Sequence, residues 1–353
     1  MLKLFSRKPH QTAPQYAAAQ RLALAVPGGV PERLPYATYD RMEEDPMIQT
    51  ALTLKKLGVL AAKYVIESED AERAAFVMEA FERMEGSPRS LLTQAMDAFA
   101  KGWSVQELVW LEDQGRLWLH SVRPKDPSRF GLDVDPYGRV TGLTLQLPGE
   151  PPRNLDRENF VLYANRAGYG RLRGRSDLDA AWRHWVMKGQ LMSDWKLHMA
   201  RFAMPTVVGT VKRGAPQSEV DHLLSLLENL AASTAIVVPD ESTITTLGGE
   251  KEASTGFQEA IEFHNREIAR SILGQTLTTD EGRRVGSLAL GKVHLQVLIV
   301  QLDALRRELA DLVMTEQVIR PLIEANFGPG PIPRFVFETG DVGLFSSGEL
   351  GAV

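Results

Sequence analysis

TGFQEAIEFHNREIARSIL (Thr255–Leu273), GQTLTTDEGRRVGS (Gly274–Ser287) and LALGKVHLQVLIVQLDALRRELADL (Leu288–Leu312) follow one another without interruption. In the first, Phe257, Ile261, His264, Ile268 and Ile272 share one side at helical spacing, and Glu262 precedes Arg266 by one turn in the favourable order. Thr255 with Gln258 predicts a capping box at its start. The second stretch breaks the period with glycines and charges. The third restores it: Leu288, Gly291, Leu295, Leu298, Leu302, Leu305, Leu309 and Leu312 alternate steps of three and four. A seam that regular predicts a neighbouring helix along its whole length. We read Leu295, Leu298, Leu302, Leu305 and Leu309 as core and, given the length of the seam, as oligomer packing.

Working outward, Ser176 with Asp179 predicts a long helix over 176–203, ended by Met204-Pro205. Between the two helical blocks lie a strand (Thr206–Val211), a helix (216–232), a strand (Ala235–Val238) and a short strand in ESTITTLGG, so 204–250 reads as a small α/β insert. Earlier, Asp40, Glu43, Glu44 and Asp45 stand ahead of Pro46 and a helix with Met47, Ala51, Leu54, Leu57 and Ala61 on one face. Helices over 70–85 and 87–101 follow. From Trp103 to Phe160 the period changes to two, with turn signals at DQG, DPYGR and LPGEPP, which predicts a small antiparallel sheet. Phe160–Tyr163 adds a strand before ANRAGYGRLRGRSD, and RFVFE near the C-terminus adds another. Residues 1–35 read as a mobile N-terminal arm and 339–353 as a short tail.

The chain has 353 residues, no cysteine and a formal charge of −5. Without cysteine there are no disulfides, thiolate metal sites or cysteine nucleophiles. The charge argues against bulk electrostatic binding to nucleic acid, leaving local contacts. The longest apolar run, Leu57–Ile66, is interrupted by Lys63 and falls short of the roughly 18–20 residues of a membrane span.

Chemistry-bearing patterns are few. His10, His120, His184, His198, His222, His264 and His294 show no metal-ligand spacing, and each reads as structural or solvent-facing. Gly168, Gly170 and Gly174 with Arg166, Arg171, Arg173 and Arg175 follow a strand and open a helix, as a phosphate loop does. They lack the Gly-Lys-Ser/Thr ending and the G-x-G-x-x-G spacing. The plainer reading is a tight connection whose arginines meet a neighbouring acidic surface; local phosphate or intersubunit contact is the alternative. In 277–286, Thr278, Thr279, Asp280, Glu281, Arg283, Arg284 and Val285 form a polar loop. Its adjacent arginines could meet phosphates without sequence preference, while Asp280 and Glu281, neighbours in sequence, make no acid/base dyad. No catalytic residue, cofactor or metal is expected.

ILGQTLTTDEGRRVGSLALGKVH, the long helix ending in IRPLIEANFG, EEDPMIQTALTLKKLGVLAAKYVIES and AFAKGWSVQELVW together resemble the Mu-like family of tailed-bacteriophage portal proteins over about residues 36–338. The resemblance implies an α+β subunit of a ring, usually of twelve copies, at one capsid vertex of the virion, assembled in the host bacterial cytoplasm. It further implies a helical and β wing (36–175), a stem helix (176–203), a clip (204–250), a second stem helix (251–275), a tunnel loop (276–286), and a long helix with a terminal strand returning to the wing (287–338). Only fifteen residues follow RFVFE, so the helical crown is expected to be minimal or absent. The implied partners are double-stranded DNA sliding through the channel, the large terminase, a head-completion or adaptor protein, and the major capsid or scaffold protein, with no membrane. Two rival readings are a non-portal structural ring or scaffold and a nucleic-acid-processing enzyme built on 166–175.

Overall fold

The protein was analysed as a computed structural model, which describes residues 34–168, 170–203, 206–211, 214–230, 243–247, 252–275 and 288–338. The described residues are a mixture of helices and antiparallel strands, as an α+β chain should be. They divide into two compact units, Met1–Trp182 with Ile268–Val353, and Arg183–Glu267.

The first unit opens with α1 (Tyr36–Glu43) and α2 (Pro46–Leu60). Asp45 caps α2, its carboxylate accepting from the Met47 and Ile48 N–H groups while Pro46 takes the first helical position. The acidic cluster ahead of Pro46 is therefore partly a helix of its own, α1. The expected arm ends sooner than read, because Leu34 is buried and the Pro35 carbonyl accepts from Thr38; residues 1–33 lie outside those described. β1 (Tyr64–Glu67), which alternation alone did not reveal in so short a run, pairs antiparallel with β10 (Arg334–Phe337), the strand of RFVFE. α3 (Ala71–Arg83) is capped by Asp70. The helix expected over 87–101 is two pieces, α4 (Pro88–Ala95) and α5 (Ala98–Lys101), parted at Met96-Asp97. Ser87 and Ser90 form a reciprocal capping box at the start of α4.

β2 (Trp103–Asp113), β3 (Arg116–Lys125) and β7 (Phe160–Ala164) form a sheet in the order β3-β2-β7. β4 (Phe130–Val134), β5 (Val140–Leu145) and β6 (Arg153–Asp156) form a second, in chain order. Trp103, Val105, Phe130, Leu143 and Phe160 bury a shared core between them, with Tyr36 against it. Alternation places one apolar row of each sheet there, which is why the two-residue period of the sequence was a sound guide.

The long helix is continuous from α9 (Leu288–Glu308) through an eleven-residue π-helical segment (Leu309–Ile319) into α10 (Arg320–Phe327). The π geometry corrects the predicted seam. A 3.6-residue turn would bury Leu312, but the wider turn rotates the face and leaves Leu312 52% exposed. Buried instead are Ala310, Val313, Met314, Val318 and Ile319. Within this helix Thr315, Gln317 and Asn326 hydrogen-bond backbone groups of β10, β7 and β3.

The second unit contains most of α6 (Leu178–Ala203) and of α8 (Glu252–Leu273), with β8 (Thr206–Thr210), α7 (Gln217–Leu230) and β9 (Thr243–Leu247) between them. β8 and β9 pair antiparallel, Val208 opposite Thr245. The predicted strand Ala235–Val238 lies outside the described residues. α6 begins at Leu178, two residues later than expected. α8 begins three residues before Thr255, so Thr255 is interior to the helix and cannot be its cap; Gln258 donates to Glu262 at 3.0 Å instead. Among the described residues, no helix is long and apolar enough to cross a membrane.

Candidate channel and assembly surfaces

The glycine and arginine stretch is a locked joint. Gly174 has φ +59°, and a Cβ there would stand 2.2 Å from the Asn165 carbonyl oxygen and 2.5 Å from that of Gly102. Only glycine permits this approach. Around it Asn165 donates from Nδ2 to the Arg175 carbonyl (2.9 Å) and to Asp177 Oδ1 (3.0 Å), while the Arg175 N–H donates to the Asn165 carbonyl (2.7 Å). Ser176 Oγ accepts from the Leu178 N–H at 2.9 Å and donates to the Ala100 carbonyl, so Ser176 does act at the start of α6. The Tyr39 hydroxyl donates to Asp179 at 2.6 Å.

Asp177, wholly buried, is the hub. Lys55 Nζ of α2 lies 2.6 Å from its Oδ2, and Arg166 lies 3.3 Å from its Oδ1. Arg166 adopts φ +51°, a left-handed conformation that costs a non-glycine residue energy and turns its guanidinium toward this carboxylate. Arg173 donates to the Phe130 carbonyl at 3.0 Å and lies over the Trp103 ring at 5.2 Å. The plainer reading is thus half right: Arg166 meets an acid, but of its own chain, and Arg173 meets a carbonyl and a ring. Arg171 is half-buried, its N–H donating to the Gly168 carbonyl, and Arg175 is exposed.

Beside this joint a cleft of about 380 Å³ is lined by Lys55, Asn165, Arg166, Arg270, Gln301 and Glu308. Burial lifts the Glu308 carboxyl above its ordinary range, against the Tyr163 hydroxyl and Lys55. Burial and then Glu308 push the Tyr163 phenol up as well. Burial is the leading cause of both shifts, which suits a packed joint more than proton transfer.

The predicted loop residues Thr278, Thr279, Asp280, Glu281, Arg283, Arg284 and Val285 lie outside the described residues. The helix ends on either side are described. Gly274, at φ +72°, terminates α8, its N–H donating to the Arg270 carbonyl at 2.9 Å, and α9 opens at Leu288.

The leucine seam divides. Leu302 is buried against Gly58 of α2, where a Cβ would meet its Cδ1 at 2.7 Å, and Leu309 is fully buried. Arg306 secures the same contact by donating to the Gly58 and Val59 carbonyls. Leu302 and Leu309 therefore serve the subunit's own core rather than packing between subunits, whereas Leu295, Leu298 and Leu305 are half-buried.

In the second unit α6 and α8 run antiparallel, His184 Nδ1 standing 3.0 Å from His264 Nδ1 and His198 packing on Phe257 at 5.5 Å. One imidazole must be neutral at that nitrogen for the bond to exist. Burial, then the proximity of His184, lower the His264 pKa, against Glu267. Scanning single helices for ligand spacing missed this pair, because its members are 80 residues apart. Among the described residues no group of three candidate ligands is gathered for a metal.

A family model described as the portal protein of Mu bacteriophage matches residues 36–343. The portal protein of Escherichia phage Mu is 24% identical over 369 residues, covering 97% of this chain and 68% of that protein. The Mu-like prophage FluMu protein gp29 of Haemophilus influenzae is 24% identical over 329 residues, covering 88% and 61%. The chain thus spans about two thirds of the length of these relatives. Among solved structures, a chain from the neck of an empty gene transfer agent (GTA) particle with C6 symmetry matches with a TM-score of 0.64 and 14% identity, covering 92% of this chain and 91% of that one. A chain from the neck of a native GTA particle with C12 symmetry matches with a TM-score of 0.62 and 12% identity, covering 87% and 86%.

Proposed function

The chain belongs to the family of Mu bacteriophage portal proteins, and on that premise we propose that its copies, twelve in number, close into a ring at one capsid vertex and conduct DNA during packaging and ejection. The observation that carries the reading is the family match across 36–343, which takes in every described helix and strand. In this assignment 36–175 is the wing, α6 and α8 are the stem, 204–250 is the clip, and 276–286 is the tunnel loop ahead of the long helix. The clip meets the large terminase during packaging and a head-completion or adaptor protein afterwards, while the wing meets the capsid shell or scaffold.

The physical chemistry of a conduit fits the composition. Translocating DNA must slide, and every tight phosphate contact adds salt-dependent affinity that holds it in place. A subunit of net charge −5 repels the polyanion mildly overall. Arg283 and Arg284, with Thr278 and Thr279, supply local, sequence-independent contacts at the loop. The chain carries no Gly-Lys-Ser/Thr phosphate loop, so a separate ATPase drives the movement.

Deleting 278–285 tests the loop. Rings should still form, and particles should fill with DNA poorly; normal filling by the deletant would contradict the assignment.

A further inference from the structure

We propose that α6 carries two unlike apolar ridges by which each copy of this chain grips a neighbouring copy on either side, Met192 and Met199 of one copy lying against Val186 and Leu197 of the next. This deepens the ring reading and rests on it.

In the second unit one side of α6, marked by His184, Leu191, Trp195 and His198, is half-buried and faces α8. Of the other described side chains between His184 and Ala200, Trp185 and Lys188 are half-buried too, and the rest are exposed. That surface should be polar on a helix that needs no partner, yet Val186, Met187, Met192, Leu197 and Met199 are between 43% and 54% exposed. Scattered exposed apolar residues are ordinary; rows of them at helical spacing along one helix mark an interaction surface.

Their placement identifies the occupant. Met192 and Met199, seven residues apart, form one row, and Val186 and Leu197, eleven apart, form another. At 3.6 residues per turn the two rows point about 140° apart. A two-fold dimer uses one patch twice, whereas a closed ring requires two different patches on every copy. Two unlike rows on separate flanks of one helix meet the second requirement and exceed the first. Thioether and aliphatic side chains offer nothing to phosphates, so DNA is not their partner, and the flexible methionines suit packing against a differently shaped neighbour.

The absence of native cysteine makes the test clean. Full-length Leu197→Cys and Met199→Cys chains are expressed separately and together and treated with a short bismaleimide. Covalent dimers are expected from the co-expressed chains and none from either alone. A second variant, Met192→Glu, should raise the concentration needed for assembly at least about tenfold, while Val134→Glu, exposed in the first unit, should leave it unchanged. Closed rings with no link between the two cysteines would overturn the ridge assignment and leave the portal reading standing. Linkage through either cysteine alone, as two-fold dimers, would overturn both. A chain that stays monomeric at every concentration would overturn the ridges as a sufficient interface.

Discussion

The side-chain amide of Gln317 bonds both backbone groups of Leu162, its Nε2 donating to the carbonyl at 2.9 Å and its Oε1 accepting from the N–H at 2.8 Å. Leu162 stands opposite Val105 on the outer strand of its sheet, with its own polar groups turned away from β2. Asn326 does the same to Leu117 on the opposite edge, at 2.8 Å for each bond. Nine residues of helix advance about 13 Å, and three strands are about 10 Å across, so one helix reaches both edges. Each amide stands in for a missing strand, closing edges that would otherwise pair with another chain.

Replacing Gln317 by Ala leaves two backbone groups of Leu162 and the Arg157 guanidinium without this partner. Stability measured by urea unfolding should fall by about 1–3 kcal/mol. Gln317→Glu keeps the acceptor toward the Leu162 N–H and Arg157 but cannot donate to the carbonyl, and it should fall between wild type and Ala. Equal stability of all three would contradict the edge-sealing role.

Gly174→Ala should be among the most damaging single substitutions in the chain, because its Cβ would overlap two backbone oxygens at a positive φ. A loss of more than about 3 kcal/mol is expected, seen as insoluble or early-melting protein. Gly168→Ala, with open space around it, should stay within about 0.5 kcal/mol of wild type.

Lys55→Ala removes the closer of two cations from the buried Asp177 carboxylate, leaving Arg166 and the Asn165 amide on its other oxygen. The expected cost is about 1–3 kcal/mol, with partial recovery in the Lys55→Ala, Asp177→Asn double variant. Additive losses in that double-mutant cycle would show that the pair is not coupled.

The histidine pair sets a pH dependence. The folded-state pKa of His264 is depressed, so the unfolded chain binds the proton more readily and stability rises with pH across that interval. The stabilisation is present above the unfolded value near 6.5 and is lost as pH falls toward the folded value. Thermal melting of wild type should therefore drop between pH 8 and pH 5.5 by more than that of His264→Phe. An identical drop in both would assign the effect elsewhere.

How much of this was legible in the sequence follows from which signals are local. The acidic run ahead of Pro46 announced a helix start, and Asp45 caps that helix. The two-residue alternation from Trp103 onward and the helical blocks on either side of 274–287 were legible too. What failed was nonlocal or geometric. A strand as short as Tyr64–Glu67 becomes one only through its partner 270 residues later, Phe337 opposite Tyr64 at its far end. The leucine seam looked perfect because spacing assumes 3.6 residues per turn, and the π-helical turn after Glu308 breaks that assumption at Leu312. Thr255 carried a capping pattern that the helix simply ran through. At the candidate site, the arginines of 166–175 were visible, but not that Arg166 and Arg173 would be engaged by Asp177 and by Phe130 and Trp103 of their own chain. The family motif, by contrast, was readable throughout, because it is a property of residue order.

The most direct test of the portal reading is end-on particle imaging of the purified full-length chain. Closed rings of twelve copies around an open channel wide enough for a DNA duplex, about 20 Å, are the predicted result. Closed rings with no open channel, or filaments and two-fold dimers in their place, would contradict it.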